Sequence, residues 1–292
     1  MRSISALLLS FFLFSLVAPL MAAGKSSYAD AFQTIPEREW VGLKFVLLPQ
    51  PKSLQQYGYQ ELYRDADKEY APLRYDDYAG KIVRVTGIGH GKAPDGELFD
   101  EADLQVQDTG ESIHGDIDQG CMNDVAPVAD LEEARAHFLG RTLWFSEDNL
   151  STEGHRIPVR QYLPVQVLEI VPGWYASVPI RFIVREKTGQ SGYVDVHMSD
   201  TNVPEKLRVR GRFKDNFWET DPRKTYPWPA KTWRAIESKE VFVGMTAQQI
   251  RMSWGDPPEI IKKSANGLRE SWKYDGNHLL SLQNGRLIGL HG

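Results

Sequence analysis

The fold is decided by two similar stretches of sequence. The first is Leu104-Gln105-Val106-Gln107-Asp108-Thr109-Gly110-Glu111-Ser112, and the second is Ile183-Val184-Arg185-Glu186-Lys187-Thr188-Gly189-Gln190-Ser191. The first copy begins with alternating apolar and polar residues, the period of two that is typical of a half-buried strand. A Thr-Gly dipeptide with turn chemistry follows in both copies. With Val106 matched to Val184, the stretch predicts a repeated unit of strand, tight turn and strand.

A second pair of similar segments lies upstream of the first. Trp40-Val41-Gly42-Leu43-Lys44-Phe45 resembles Phe138-Leu139-Gly140-Arg141-Thr142-Leu143-Trp144. Further alternating runs, at 81–86 and 165–170, lie between the landmarks. Because the spacing differs between the two pairs, the repeat is degenerate. Short strands broken by Gly and Pro turns indicate small barrels or sandwiches.

The segment Leu163 to Val196 resembles a bacterial SH3-like barrel. It predicts a strand, a turn at 172–175, a strand at 180–184, a turn at 188–190 and a strand at 192–196 that carries Gly192-Tyr193-Val194. The resemblance covers this segment and, more faintly, 80–117. It implies binding of cell-wall peptides or proteins, as is common in that family.

The segment from 204 to 229 has a different composition. It contains four prolines, a basic run and several aromatic residues. Because proline fixes φ and lacks an N–H donor, this density disfavours a helix or a central strand. We predict a Pro-rich linker or exposed arm.

The last segment, 230–292, predicts two helices and a sheet. Thr246-Ala247-Gln248-Gln249 forms a capping box, which marks the start of one helix. An earlier helix is expected from Ala230 to Lys239. Asp275-Gly276 and Asn284-Gly285 suit tight hairpin turns, so we predict two helices on a three-stranded antiparallel sheet.

This segment is similar to the SmpA/OmlA (BamE-like) family between Val241 and Leu290. The similarity rests on Val243-Gly244-Met245-Thr246, Gly255-Asp256-Pro257, Trp272-Lys273-Tyr274 and Asn284-Gly285-Arg286-Leu287. It implies the family's two-helix-plus-sheet fold and a role in protein binding. Family members of the outer-membrane assembly machine carry a lipid-modified cysteine after the signal, and this chain has none.

The first 23 residues have the features of a secretory signal. Arg2 precedes an apolar run from Ala6 to Val17, and Met21-Ala22-Ala23 offers small residues for cleavage. We therefore predict a signal peptide at 1–23, cleavage near Ala23, a periplasmic location and no lipid anchor. The predicted division of the mature chain is a first β module at 24–130, a second at 131–203, the linker at 204–229 and the C-terminal module at 230–292.

The charge distribution argues against a nucleic-acid partner. The chain has a formal net charge of −5, and residues 95–133 include no Lys or Arg. Phosphate recognition needs a concentrated basic surface. The acidic segment instead predicts a solvated face or a neutralising contact with the basic region at 156–235.

Catalytic motifs are scarce. Cys121 is the sole cysteine and the best candidate nucleophile, but its flanks match no known pattern. His90 and His114 lie beside the acidic stretch and are the best candidate pair of metal ligands, yet the sequence contains no zincin spacing. We predict no cofactor, no resident metal and no enzymatic activity.

Aromatic residues beside Gly and Pro are the candidate binding residues, because such side chains dominate binding hot spots. They are Trp174, Tyr175, Trp218, Tyr226 and Trp228. The sequence thus predicts a mainly β chain with two SH3-like modules and a C-terminal α+β module. Its predicted function is a non-enzymatic envelope adaptor for an envelope protein or cell-wall peptide. The alternatives are a periplasmic cysteine hydrolase using Cys121 and a secreted inhibitor of an enzyme.

Overall fold

The computed structural model of the chain describes residues 32–64, 71–92, 96–263 and 269–292. The strands of these residues form three antiparallel sheets. The fold is mainly β, with sheets that curl into half-barrels. The predicted signal peptide at 1–23 lies outside the described residues. Within the described ranges, the helices are too short or too polar to cross a bilayer.

The first sheet has six strands, and the alternation predicted at 81–86 is confirmed by its third strand, in which Val83 and Val85 are fully buried. Two short helices, α1 (Lys52–Gln55) and α2 (Tyr75–Tyr78), lie between its first and third strands. The strands are β1 Lys44–Leu47, β2 Leu62–Arg64, β3 Ile82–Lys92, β4 Leu98–Val106, β5 Ser112–Ile117 and β6 Val125–Pro127. Their spatial order is β2-β5-β4-β3-β1-β6.

The second sheet follows helix α3 (Val128–Phe138). Its seven strands are β7 Thr142–Phe145, β8 Asn149–Ser151, β9 Arg156–Pro158, β10 Leu163–Tyr175, β11 Val178–Glu186, β12 Ser191–Val196 and β13 Phe217–Trp218. Their order is β13-β7-β10-β11-β12-β8-β9. The series β1-β3-β4-β5 in the first sheet thus matches β7-β10-β11-β12 in the second.

Equivalent backbone hydrogen bonds occur in the two copies of the repeat. The Gly42 N–H donates to the Val85 carbonyl at 2.8 Å, and the Gly140 N–H donates to the Val167 carbonyl at 3.0 Å. Both glycines have positive φ, at 93° and 75°, where glycine has no steric cost. The predicted similarity of Trp40–Phe45 to Phe138–Trp144 therefore reflects equivalent backbone positions.

A β-bulge recurs at one place in both copies. The strand register shifts between Val85 and Gly87 in β3 and between Val167 and Glu169 in β10. Immediately before the bulge, Val85 pairs with Leu104 as Val167 pairs with Val184. Leu104, rather than Val106, is therefore the counterpart of Val184, and the predicted alignment was wrong by two residues. A slip of two keeps every side chain on its own face of the strand, so the apolar pattern does not reveal it.

The two sheets share a core. Strand β1 is buried on both faces, with Phe45 and Leu47 in the core of the first sheet. Val46 lies in a second core, together with Phe138 of α3 and Phe182 of β11. The predicted division at residue 130 falls inside α3. The copies are therefore fused through a helix and a doubly buried strand.

The segment 204–229 is not an exposed arm. Phe213 and Phe217 are only 2% and 3% exposed and belong to the shared core. Phe217 pairs with Phe145 as part of β13. Short helices α4 (Phe213–Asn216) and α5 (Pro222–Thr225) surround this strand. Pro222 opens α5, where a missing N–H costs nothing.

The turn predicted at 172–175 is also wrong, because β10 continues to Tyr175 and the hairpin turns at Ala176 and Ser177. Strand β7 pairs with β10 only as far as Gln166. One edge of β10 is therefore open at Pro172, which is where a strand tolerates proline.

The C-terminal segment contains helices α6 (Ala230–Glu237) and α7 (Ala247–Trp254) and a four-stranded sheet, one strand more than predicted. The capping box is present, with Thr246 and Gln249 exchanging both hydrogen bonds. Ile236, Ile250 and the fully buried Trp272 pack in one core. The strands are β14 Glu259–Lys263, β15 Arg269–Lys273, β16 Leu279–Gln283 and β17 Arg286–His291. The additional strand, β14, shows no alternation, because adjacent Ile260 and Ile261 are both exposed.

Candidate functional site

A cleft of about 330 Å³ lies where the β10–β11 hairpin meets loops of the first sheet. The hairpin contributes Trp174 and Tyr175, two of the predicted binding residues. The segment around α1 and the loop before β6 form the opposite side. The remaining lining residues are Gln50, Pro51, Leu54, Glu61, Asn123, Asp124, Ala176, Ser177, Pro204 and Leu207. The cleft thus has apolar walls and a small group of polar side chains.

The aromatic wall is held in place by a cation. The Arg181 guanidinium lies 4.1 Å from the Trp174 ring centroid and 3.7 Å from that of Tyr193. The same guanidinium donates to both carboxylate oxygens of Asp195, each at 2.7 Å. Trp174 is therefore fixed, whereas Tyr175 beside it is 52% exposed. Because Trp174 is already immobilised, little side-chain conformational entropy would be lost there when a ligand binds beside the accessible Tyr175.

The polar side of the cleft is rich in hydrogen-bond acceptors. Gln50 is 7% exposed, and its Nε2 donates to the Gly58 carbonyl at 3.2 Å. Its Oε1 is buried without a hydrogen-bond partner in the described part of the chain. Burial raises the pKa of Asp124; a hydrogen bond with Gln50 opposes this shift, and the Glu61 charge adds to it. A ligand with N–H or O–H donors would satisfy the Gln50 oxygen.

The other three predicted binding residues lie elsewhere. Trp218, Tyr226 and Trp228 are half-buried and pack at the core of the C-terminal segment. The Tyr226 and Trp228 rings stack at 4.8 Å, and Trp228 contacts Trp233 of α6 at 5.4 Å. These rings attach the second sheet to the C-terminal helices. The five predicted aromatics therefore do not form one surface.

Cys121 lies in the loop between β5 and β6. It is 2% exposed, and its Sγ donates to the Asn202 carbonyl at 3.2 Å. Burial raises the pKa of the thiol to about 12, and the charges of Glu61 and Asp118 add to the shift. Since the thiolate is the nucleophile, the folded chain keeps Cys121 in its unreactive form near neutral pH.

The two histidines proposed as a metal pair lie on opposite faces of the first sheet. His90 is paired with Asp100, at 2.9 Å between Nδ1 and Oδ1. His114 lies instead with Glu101 and Asp103, whose register partners in β3 are Gly89 and Gly87 rather than His90. Neither acid was predicted as a metal ligand, although their spacing of two in an alternating strand places them on one face.

The polar residues of the cleft were missed as well. Gln50, Glu61 and Asn123 come from separate loops, and the Asn123 Nδ2 donates to a Glu61 carboxylate oxygen at 2.7 Å. No periodic pattern marks residues that converge from loops. Only the position of Trp174 and Tyr175 in a hairpin was visible in the sequence.

No protein-family model matches the chain, and a search of curated proteins finds no significant sequence similarity.

Proposed function

We propose that this chain is an exported, non-enzymatic binding protein of the cell envelope that takes a peptide segment into the cleft beside Trp174 and Tyr175. The observation that carries the proposal is the cleft itself. Small binding sites are typically concave, mostly apolar and equipped with a few polar groups that fix orientation. The cleft volume of about 330 Å³ accommodates a few side chains of a longer segment.

The acceptor-rich side of the cleft supports a peptide as the ligand. The Gln50 Oε1, which has no hydrogen-bond partner among the described residues, offers an acceptor for a backbone or side-chain N–H. The aromatic wall offers the large, rigid area found in binding hot spots. Peptide segments of an envelope protein and of the cell wall both carry N–H donors and side chains that such a cleft can bind. Photo-crosslinking distinguishes the two sources.

The buried state of Cys121 favours binding over the alternative of a cysteine hydrolase. A thiol with a pKa of about 12 and a carbonyl as hydrogen-bond partner lacks the activation that nucleophilic catalysis requires. The second alternative, an inhibitor of a secreted enzyme, would use the same kind of surface. It differs in that the captured partner would be an enzyme whose activity falls stoichiometrically.

The finer fold assignments belong to the same proposal. We propose that the two β units are degenerate SH3-like modules and that the C-terminal unit is of the SmpA/OmlA type. The recurrent bulge supports a common ancestor for the first two. The capped helix and the sheet carrying Trp272 support the third. Export is tested by sequencing the N-terminus of periplasmic protein, which should begin after Ala23.

Photo-crosslinking tests the cleft. A photoreactive phenylalanine replaces Tyr175, and in the control chain it replaces Ile288 of β17, which is also 52% exposed. Crosslinked products are compared for envelope proteins and for isolated cell wall. We expect a discrete product at 175 that is absent at 288.

The partner found in this way is then titrated with purified chain. Tyr175→Ala should weaken its binding at least about 10-fold, as expected for a hot-spot aromatic. Equal crosslinking at both positions, or unchanged affinity of Tyr175→Ala, would contradict the proposal.

A further inference from the structure

Three potential metal ligands converge on the outer face of the first sheet. Asp103 and His114 are direct partners across β4 and β5. The His114 Nδ1 lies 3.1 Å from the Asp103 Oδ1 and 3.5 Å from the Glu101 Oε1. All three ligand atoms lie within 4.8 Å of one another. The site is partly shielded, since the side chains of His114 and Glu101 are 14% and 18% exposed.

The two separations from His114 are compatible with tetrahedral coordination. With metal–ligand bonds of about 2.0–2.1 Å, adjacent ligand atoms of a tetrahedron are about 3.3 Å apart. The two distances from His114 lie on either side of this value. One imidazole and two carboxylates form a ligand set that suits Zn²⁺ and leaves the fourth position for water.

Tyr63 holds two of the ligands in position. Its ring stacks on the His114 ring, with centroids 5.7 Å apart and an interplanar angle of 20°. Its hydroxyl donates to the Glu101 Oε2, which leaves the Oε1 directed to His114. Partners that orient ligands in this way are a regular part of metal sites.

The neighbouring strand leaves room above the carboxylates. Gly87 and Gly89 of β3 are the register partners of Asp103 and Glu101. A Cβ at Gly87 would lie 2.4 Å from the Asp103 Oδ2, whereas one at Gly89 would meet nothing within 4 Å. The absence of a side chain at Gly87 makes room for the Asp103 carboxylate, and the open space at Gly89, beside Glu101, gives an ion and its water access.

The second copy of the repeat has a cation at the position that Glu101 occupies in the first copy. Glu101 and Asp116 are paired in the first sheet as Arg181 and Asp195 are in the second. In the second sheet the Arg181 guanidinium neutralises Asp195. In the first sheet a carboxylate takes the place of that guanidinium. The Asp116 Oδ1 is also buried without a hydrogen-bond partner among the described residues.

We propose that Glu101, Asp103 and His114 bind a divalent transition-metal ion, with Zn²⁺ preferred, which supplies the positive charge that Arg181 provides in the second sheet. The site is separate from the cleft and does not depend on the proposed binding function.

Isothermal titration calorimetry with Zn²⁺ on the metal-stripped mature chain tests the proposal. We expect one ion per chain for the wild type and at least about 10-fold weaker binding for His114→Ala, because a direct ligand contributes no less than an outer-sphere one. His90→Ala is the matched control, since His90 is also paired with an aspartate of β4 but on the other face. It should bind Zn²⁺ like the wild type.

A second variant tests whether weaker binding results from the loss of a ligand or from misfolding. The Asp103 side chain is 54% exposed, so Asp103→Asn should fold and should also weaken binding. Zn²⁺ should raise the melting temperature of the wild type and not that of Asp103→Asn, because a ligand of the native state stabilises it. Absence of Zn²⁺ binding to the wild type, or equal binding by wild type and both ligand variants, would overturn the proposal.

Discussion

The Arg181 guanidinium and the Asp195 carboxylate form a bidentate pair, with both hydrogen bonds at 2.7 Å. Their side chains are only 10% and 16% exposed. The pair fixes the Trp174 ring and so connects the stability of the second sheet to the shape of the cleft.

Replacing Arg181 with Ala should therefore be costly. It leaves Asp195 largely buried without its cation and removes the support of Trp174. We expect the free energy of unfolding in urea to fall by about 3 kcal/mol, the usual cost of breaking a buried pair. Arg74→Ala is the control, since Arg74 and Asp77 form a surface pair with side chains 77% and 50% exposed. It should change stability by less than about 1 kcal/mol, and equal losses would refute the assigned role of Arg181.

The metal site can also be tested by introducing into the first sheet the arginine that the second sheet has at the equivalent position. Glu101→Arg places a guanidinium opposite Asp116, as Arg181 stands opposite Asp195. We expect this variant to remain folded and to lose Zn²⁺ binding in calorimetry, because the cation is now built in. Gln105→Arg, on the same strand and face, controls for the added charge and should still bind. Zn²⁺ binding by Glu101→Arg at wild-type affinity would exclude Glu101 as a ligand.

The Cys121 thiol predicts a pH dependence of stability. Its pKa rises from 9.0 to about 12 on folding. Between these values the unfolded chain loses the proton while the folded chain keeps it, so stability falls as pH increases from 9 to 12. Cys121→Ala should show a shallower loss over this range in urea denaturation. The comparison isolates the thiol, because the tyrosines are common to both chains. Identical slopes would mean that the thiol is not buried.

The capping box of α7 gives a local test of the C-terminal segment. The Thr246 Oγ1 accepts from the Gln249 N–H at 3.2 Å, and the Gln249 Oε1 accepts from the Thr246 N–H at 2.8 Å. Thr246→Ala should lower the free energy of unfolding by about 1 kcal/mol. Thr246→Ser keeps the hydroxyl and should cost much less. A loss as large for Ser as for Ala would assign the effect to packing of the Thr methyl group.

Local sequence patterns predicted much of the fold. The alternating run at 81–86, the twin turns at 110 and 189 and the capped helix at Thr246 depend on neighbouring residues, so they were visible in the sequence. The residue-by-residue alignment of the two copies was not visible in the sequence, because a shift of two residues preserves the pattern of burial. The proline density of 204–229 led to the wrong prediction of an exposed arm. Phe213 and Phe217 are buried there by tertiary packing, which composition does not report.

The sites were harder to predict than the fold. Trp174 and Tyr175 were identified from their turn-like neighbours, although both lie in β10 and the turn itself is at Ala176 and Ser177. Gln50 and Asn123 carry no pattern, because the cleft is assembled from loops distant in sequence. Glu101 and Asp103 looked like part of a solvated acidic stretch. Only the pairing of β4 with β5 brings them to His114.

Strand β1 has consequences for how the molecule unfolds. With Phe45 facing one core and Val46 the other, neither half-barrel can open without uncovering apolar surface of its neighbour. We therefore expect the two half-barrels to unfold as one cooperative unit, and a fragment cut within α3 would expose the Val46 side of the strand to solvent. Aggregation of such a fragment, rather than independent folding, is the outcome that this arrangement favours.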